Sequence, residues 1–199
     1  MTPAELLVAK PEAFEEANRK ALEAAEALVE RLKSSPAPRA TPATVAAYDD
    51  AMAALSDASS RASVARNAHP DAAMRDVAER CEQQVDALAT RFSLDRGIYD
   101  ALRELDPQRE DPATRFYLHR TLRDFRRAGV DRDEETRKRV QALNEELVRI
   151  GQEFSRNIRE DVRSVEVDPP ELAGLPDDYV QAHPPGANGK VTITTDYPD

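Results

Sequence analysis

The sequence predicts a mainly α-helical protein, an elongated array of about six helices that ends in a short β-leaning appendage. Its 14 prolines leave long proline-free windows between them, and proline is tolerated in the first turn of a helix but not in its interior. In each window the apolar residues recur at steps of three and four, the period of one helix face. Near the end of the chain, apolar and polar residues alternate instead, as in a half-buried strand.

The first two windows predict a pair of antiparallel helices. The first window lies between Pro11 and Pro36, and the second runs from about Pro42 to Arg66. Alanine, serine and aspartate dominate the second window outside its apolar seam, so its neighbour can approach closely. The two apolar faces are Phe14, Ala17, Ala21, Ala25, Leu28 and Leu32 in the first helix and Val45, Tyr48, Met52, Leu55, Ser59 and Ala62 in the second.

Three further helices follow. The third is predicted to begin at His69 and Pro70, with Pro70 in the first helical position, which suits proline. Asp111 and Pro112 open the fifth, and Gly129 is placed as its C-terminal stop. The apolar faces are Met74, Val77, Cys81, Val85, Leu88 and Phe92 in the third helix, Ile98, Leu102 and Leu105 in the short fourth, and Leu118, Leu122 and Phe125 in the fifth.

The sixth window has the strongest pattern. Asp131 and Glu134 have the spacing of a capping box, and one apolar face then continues for about thirty residues, or roughly 45 Å of helix. A helix of that length is expected to have a partner along it. Gly151 interrupts it, which predicts a close crossing by another helix as compensation for the cost of glycine. The face consists of Val140, Leu143, Leu147, Ile150, Phe154, Ile158 and Val162, with Asn144 and Asn157 at its edge as capping or bridging residues.

The pattern changes after Arg163, which divides the chain into a helical region at 1–164 and a β-leaning connector at 165–199. The stretch V-E-V-D-P-P predicts a short strand, and a short helix is expected to start near Pro176. Asn188 and Gly189 form a turn in front of a strand in which Val191 and Ile193 alternate with threonines. That strand has no obvious partner in the sequence.

Composition narrows the class of protein. With 38 acidic and 28 basic residues the net charge is −10, which argues against a nucleic-acid or anionic-membrane binder. A single cysteine, Cys81, excludes an internal disulfide and fits a reducing compartment. The start of the chain lacks the basic leader and apolar run of a signal peptide, and no uncharged apolar stretch reaches the roughly 20 residues of a membrane span. The predicted location is cytoplasmic.

No catalytic, cofactor-binding or metal-binding residue is predicted. The histidines are His69, His119 and His183, and none has the spacing of a zinc ligand. Cys81 lies on an apolar stripe, where a buried and inert thiol is the common case. The six glycines are dispersed, so there is no glycine-rich phosphate loop.

The stretch from Arg115 to Arg127, R-F-Y-L-H-R-T-L-R-D-F-R-R, is the one candidate for an anionic ligand. Arg120, Arg123 and Arg127 recur at helical spacing with aromatic residues between them. We favour a structural role, in which these arginines face the acidic residues at 131–135 that begin the next helix. Nucleic-acid binding through this cluster is the less favoured alternative.

Six segments in order resemble one known family. They are N-A-H-P-D-A-A-M-R, F-S-L-D-R-G-I-Y-D-A-L, T-R-F-Y-L-H-R-T-L-R-D-F-R-R-A-G-V, L-N-E-E-L-V-R-I-G-Q-E-F-S-R-N-I-R-E-D, E-L-A-G-L-P-D-D-Y-V and V-T-I-T-T-D-Y-P. Together they resemble the N-terminal part of the thimet oligopeptidase and neurolysin family, which includes oligopeptidase A. The resemblance covers nearly the whole chain and is weakest before about residue 60.

The resemblance implies a zinc-dependent oligopeptidase that cleaves short peptides in a channel between two mostly helical halves. In that family zinc is held by an H-E-x-x-H helix and a further glutamate, and no position here matches those ligands. The chain is therefore expected to form one wall of the channel, to bind no zinc itself and to be inactive alone. Its expected partners are the missing C-terminal catalytic half, which the last strand would join, and short peptide substrates, with no nucleic acid and no membrane. The alternative is a non-enzymatic helical scaffold or protein-interaction bundle.

Overall fold

The computed structural model describes residue 5 and residues 9–195, apart from the side chains of Arg109 and Arg159. The chain divides into two compact units, Met1–Arg149 and Ile150–Asp199, and each is treated by itself below. Within the described residues the helices are α1 (Pro11–Ser34), α2 (Thr41–Ala68), α3 (Ala72–Ser93), α4 (Arg96–Arg103), α5 (Pro112–Ala128), α6 (Glu134–Glu160) and α7 (Asp177–Ala182). The strands are β1 (Ser164–Val167) and β2 (Val191–Thr194), and short 3-10 turns lie at Pro107–Arg109 and Pro169–Leu172. The mainly α fold class is confirmed.

Helices α1, α2 and α3 form the framework of the first unit. Three side-chain contacts join α1 to α3 and to the residue just after it: Asn18 to Gln84 at 3.1 Å, Glu26 to Arg91 at 2.6 Å and Lys33 to Asp95 at 2.9 Å. The contacts advance together along both helices, so α1 and α3 run in the same direction. Helix α2 packs against both and carries the chain back between them. It is therefore antiparallel to α1, as its sequence pattern predicts.

The apolar stripes of α1 to α5 meet in the core of this unit. Each helix contributes a face with residues three and four positions apart, and the largest fully buried side chains include Ile98, Leu102, Val29 and Val85. A second cluster lies beside it, formed by Phe14, Ala62, Ala65, Met74, Val77, Ala78 and Cys81. Truncating one of the large core side chains to alanine costs about 2–5 kcal/mol. The core residues of the main cluster are Ala25, Val29, Ala51, Leu55, Ala58, Val85, Leu88, Phe92, Ile98, Tyr99, Leu102, Leu105, Leu118, Phe125 and Val130.

Two predicted helix starts are wrong by two or three residues. Helix α3 begins at Ala72, because Asp71 rather than Pro70 marks its start: the Asp71 carboxylate accepts a hydrogen bond from the amide of Ala73 at 2.9 Å. Helix α6 begins at Glu134, and its cap is Asp133, which accepts from the amide of Thr136 at 2.8 Å. In both places an aspartate directly before the helix satisfies a free amide, as N-caps do.

Two other helix ends lie where the sequence places them. Asp111 caps α5 by accepting from the amides of Ala113 and Thr114 at 2.8 and 3.1 Å. Gly129 ends the same helix in a left-handed conformation with φ of 97°. Glycine adopts this conformation without the steric cost that a Cβ would bring.

The second unit contains a two-stranded antiparallel sheet. Strand β2 pairs with β1 in the register Ser164↔Thr194, Val165↔Ile193, Glu166↔Thr192 and Val167↔Val191. Strand β1 thus occupies one edge of β2, and the joining of the catalytic half to the last strand stays a prediction. The two strands are separated by the 23 residues 168–190, and such a long-range contact is not revealed by sequence periodicity. The turn at Asn188 and Gly189 is present, with Gly189 at φ of 77°.

The connector between the strands also follows its predicted order. A short helix, α7, begins at Asp177, directly after Pro176. Within the second unit, Leu172 and Val191 are buried. The predicted domain boundary at residue 164 stays a prediction, and the last residues of the predicted strand region, Asp196 to Asp199, lie outside the described residues.

Candidate functional site

The three histidines do not form a metal site. His69 is buried in the α2–α3 turn, where its Nδ1 accepts from the amide of Asp71 at 3.1 Å. His119 is exposed on α5. In the second unit, Nδ1 of His183 donates to the backbone oxygen of Tyr179 at 2.8 Å, and the two rings stack 4.1 Å apart. Among the described residues no group of three histidine, cysteine or acidic side chains could hold a metal ion, so the residues present do not fit the zinc site of the family.

Cys81 is a packing residue in the cluster around Met74. Its side chain is fully buried. Burial raises the pKa of the thiol to about 11, so the thiolate needed for nucleophilic chemistry is scarce at neutral pH. The position and the pKa both agree with the prediction of an inert thiol.

The basic stretch of α5 has partners other than those predicted. Arg120 and Arg123 contact Asp124 of their own helix at 3.8 and 3.0 Å. The acidic residues at the start of α6 are engaged locally: Asp133 caps that helix, and Glu134 contacts Lys138 at 2.6 Å. These arginines of α5 and these acidic residues at the start of α6 therefore pair within their own helices, and the predicted pairing between the two helices is not among these contacts. The contacts Arg120–Asp124 and Glu134–Lys138 form within one helix because residues four apart are already neighbours there.

An open groove lies between α2 and α5 in the first unit. We call it the α2–α5 groove, and it has a volume of about 570 Å³. Pro42, Val45 and Asp49 line its α2 side, and Phe116, Tyr117 and Arg120 line its α5 side among others. Phe116 is 66% exposed, which makes it the most exposed large apolar side chain among the described residues. This volume lies within the range of roughly 300–1,000 Å³ that is usual for ligand-binding clefts.

A hydrogen bond ties the two walls of the α2–α5 groove together. The Tyr117 hydroxyl donates to Oδ1 of Asp49 at 3.0 Å. Burial and this hydrogen bond to a carboxylate raise the pKa of Tyr117 well above its usual value. Burial likewise raises the pKa of the neighbouring Tyr48 to about 12. Both phenols therefore stay protonated at neutral pH, and Tyr117 acts as a hydrogen-bond donor rather than as a base.

The apolar face of α6 is exposed rather than buried. In the first unit Leu143 and Leu147 lie open to solvent, and in the second unit the same holds for Ile150, Phe154 and Ile158, with Phe154 65% exposed. The predicted partner along this helix is thus absent from the described residues. Scattered exposed apolar residues need no explanation, whereas a row of them at helical spacing is typical of an interaction surface.

Gly151 lies at the edge of this exposed face. A Cβ built on Gly151 would meet nothing within 4 Å, so the close crossing predicted there is not made by the described residues. Asn144 and Asn157 make no side-chain hydrogen bond to the described residues, so the predicted bridging is not seen either. The open position at Gly151 still leaves room for a closely approaching helix.

The α2–α5 groove is the feature that sequence patterns did not reveal. It depends on how α2 and α5 meet, and they lie about 70 residues apart in the chain. The available signal was Phe116, which falls outside the predicted apolar face of α5 formed by Leu118, Leu122 and Phe125. A large apolar residue on the polar side of an amphipathic helix is a candidate binding residue.

Sequence comparison relates the chain to peptidases. It is 31% identical over 149 residues to mitochondrial intermediate peptidase of Pongo abelii, and 30% and 28% identical over 149 residues to the proteins of that name from Homo sapiens and Mus musculus. Each match covers 72% of this chain and 20% of the relative. The chain therefore spans about a fifth of the length of these relatives. No family model matches it.

These relatives define the class of protein as metallopeptidase-related. Mitochondrial intermediate peptidase is a zinc metallopeptidase of the thimet oligopeptidase family, and the chain is similar to a part of it. The family predicted from the six ordered segments is thereby confirmed.

None of the helices in the described part of the chain is both long enough and apolar enough to cross a membrane.

Proposed function

We propose that this chain forms the N-terminal helical part of a zinc-dependent oligopeptidase and supplies a wall of the substrate channel, without a zinc site of its own. The observation that carries the proposal is the match to peptidases over 149 residues, which are 72% of this chain but only 20% of the relatives. The described residues contain no set of metal ligands. The segment therefore contributes to the enzyme through its packing and its surface rather than through a metal site. The zinc and its ligands then belong to the catalytic half.

The exposed face of α6 supports the expected partner. Leu147, Phe154 and Ile158 are each about two-thirds exposed, and burying a side chain of this kind contributes about 1.5–3 kcal/mol. The catalytic half of the enzyme is the polypeptide that covers them. The open space at Gly151 admits a helix of that half at short distance.

A role as a channel wall accounts for the preference for short peptides in the proposed activity. A packed helical wall admits flexible, extended peptides and excludes folded proteins by size. In the first unit, the buried core of α1 to α5 makes such a wall rigid, because close-packed interiors resist deformation. Catalysis itself is the task of the half that holds zinc.

A peptidase assay tests the proposal. The purified chain is expected to give no turnover of a quenched fluorescent peptide, with or without added zinc, and equilibrium dialysis is expected to show no stoichiometric zinc. Turnover that a chelator abolishes would contradict the proposal that the zinc site belongs to the catalytic half. A family-length relative assayed under the same conditions is the positive control.

A second candidate function is a non-enzymatic helical scaffold or interaction bundle. The α2–α5 groove favours it, because Phe116 is exposed in a groove that has no catalytic group beside it. Reading the open reading frame past Asp199 separates the two candidates. The peptidase proposal requires an H-E-x-x-H motif downstream, and a frame without one favours the scaffold.

The compartment is also part of the proposal. The single cysteine supports a reducing compartment, and we propose the cytoplasm. The names of the relatives place those proteins in mitochondria. Fluorescence microscopy of the tagged chain in its own cell type decides between the two compartments.

A further inference from the structure

Helix α5 is a basic element in an acidic protein. Between Pro112 and Ala128 it carries five arginines and one aspartate, a net charge of +4, whereas the whole chain carries −10. Among the described residues, Arg120 and Arg123 both pair with Asp124, which is the one acidic residue of this helix. The excess positive charge is therefore available to a ligand with the opposite charge.

The basic residues are arranged in line with the exposed aromatic residue of the α2–α5 groove. Phe116, Arg120, Arg123 and Arg127 are spaced by four, three and four residues, which places them on one face of a helix. Eleven residues of helix extend about 16 Å, the length of roughly five residues of extended chain. We call these three arginines the basic ridge.

We propose that the α2–α5 groove and the basic ridge together bind an extended acidic segment of another polypeptide, with a large apolar side chain in the groove and carboxylates along the ridge. Phe116, 66% exposed, provides the apolar contact surface. The Tyr117–Asp49 hydrogen bond of 3.0 Å holds both walls in place, so that the groove exists before the ligand arrives. A preformed groove lowers the ordering cost of binding.

An acidic polypeptide fits this surface better than a nucleic acid does. The α2 wall presents Asp49, with Asp50 next to it, and a phosphate backbone with a charge on every residue would meet these carboxylates. A polypeptide can place an apolar side chain there and keep its carboxylates on the ridge. The negative charge of the rest of the chain also opposes a polyanion of high charge density.

Fluorescence polarisation tests the proposal with a defined probe. The probe is a fluorescein-labelled octapeptide with phenylalanine and leucine followed by six acidic residues, titrated with the purified chain at low salt. We expect saturable binding that weakens steeply between low and high salt, since the ridge contributes through charge. A peptide with glutamine in place of every acidic residue, and one with glycine in place of phenylalanine and leucine, are both expected to bind at least about fivefold more weakly.

Variants locate the binding site. The double substitution Arg120→Glu with Arg123→Glu is expected to weaken binding more than about tenfold, because two attractive contacts become repulsive. The matched control is Lys20→Glu with Lys138→Glu, which changes the net charge equally on α1 and α6 and is expected to leave affinity within about twofold. Phe116→Ala is expected to weaken binding about fivefold, whereas Val64→Ala, at another exposed apolar residue of α2, is expected to have no effect.

The outcomes that overturn the proposal are equally concrete. Absence of saturable binding would contradict the proposal, and so would a loss of affinity in the control variants equal to that in the site variants. Tighter binding of an oligothymidine of eight nucleotides through the same residues replaces the acidic polypeptide with a nucleic acid. Circular dichroism of each variant establishes that it is folded, and because all the substituted side chains are at least partly exposed, folding is expected to be unchanged. The peptidase assay of the purified chain does not depend on any of these results.

Discussion

Lys33, in the last turn of α1, donates from Nζ to Oδ2 of Asp95 at 2.9 Å, and Asp95 is the N-cap of α4. The other carboxylate oxygen of Asp95 accepts from the amides of Gly97 and Ile98 at 2.7 and 3.1 Å. The hydrogen bond to Asp95 raises the pKa of the Lys33 ammonium above its usual value. A Cβ at Gly97 would lie 2.9 Å from Cε of Lys33, so glycine is what permits this approach.

Replacing Asp95 separates the cap from the ion pair. We expect Asp95→Ala to lower the free energy of unfolding by about 1–2 kcal/mol, since it removes both a cap and a partly exposed charge pair. Asp95→Asn keeps an oxygen that accepts from the amides and is expected to cost less than half as much. Urea denaturation followed by circular dichroism measures both. If the asparagine variant loses as much as the alanine variant, the ion pair rather than the cap dominates.

Asp86 on α3 gives stability a dependence on pH. Burial and the nearby Glu82 raise the pKa of its carboxyl above the unfolded value. The folded protein therefore prefers the protonated form, and stability falls as the pH rises through the folded pKa. We expect Asp86→Asn to be more stable than the parent at pH 7 and equal to it at pH 3, where both side chains are neutral.

Urea denaturation at the two pH values tests this expectation. Asp76→Asn on the same helix, at an exposed position, is the matched control. A gain from Asp86→Asn that persists at pH 3 would show that the effect is not electrostatic.

Cys81 is expected to resist thiol reagents in the folded protein. Because burial raises its pKa to about 11, the reaction with a disulfide reagent at pH 8 is expected to be at least about a hundredfold slower than that of an unfolded thiol. One equivalent is expected to react at once in concentrated guanidinium chloride, which is the control. Rapid stoichiometric labelling without denaturant would mean that the cluster around Met74 opens readily.

Gly151 and Gly129 are expected to respond oppositely to alanine. Gly151 is inside α6 with free space around it, so Gly151→Ala is expected to stabilise the helix by up to about 1 kcal/mol. Gly129 has φ of 97°, and Gly129→Ala is expected to destabilise by about 1–2 kcal/mol. Thermal denaturation of both variants compares them. A loss at Gly151 would mean that another polypeptide packs there in solution.

The exposed face of α6 predicts self-association of the purified chain. A row of exposed leucine, isoleucine and phenylalanine side chains is expected to find a partner at high concentration. Static light scattering is expected to show a rising mean mass, and the double substitution Phe154→Lys with Ile158→Lys is expected to return it to that of a monomer. A compact parent monomer at every concentration would contradict this.

Much of the fold follows from local patterns. The core stripes of α1 to α5, with Val29, Leu88 and Leu102 among them, were readable because each helix buries one face at a fixed period. The stop at Gly129 was readable because its conformation suits glycine. The starts at Asp71 and Asp133 were misplaced because several aspartates and prolines compete for each cap, and local sequence does not decide between them.

What the sequence could not reveal depends on distant segments. Apolar residues recur with the same period in α3, where they are buried, and in α6, where they are exposed. Helical periodicity identifies an apolar face but does not show what covers that face. The residues of β1 that pair with β2 lie 24 to 30 positions away in the chain. The α2–α5 groove arises where two helices far apart in the chain meet, and Phe116 alone hinted at it.

The order of contacts along the chain bears on biosynthesis. Every member of the cluster from Phe14 to Cys81 lies within the first 81 residues, and α2 is joined to α3 by only three residues. The contacts between α2 and α3 across this short connection form quickly, because little chain entropy is lost in closing short loops. We expect this cluster to assemble on the ribosome as soon as α3 has emerged, and α4, α5 and the remaining residues to add to a nucleus that is already in place.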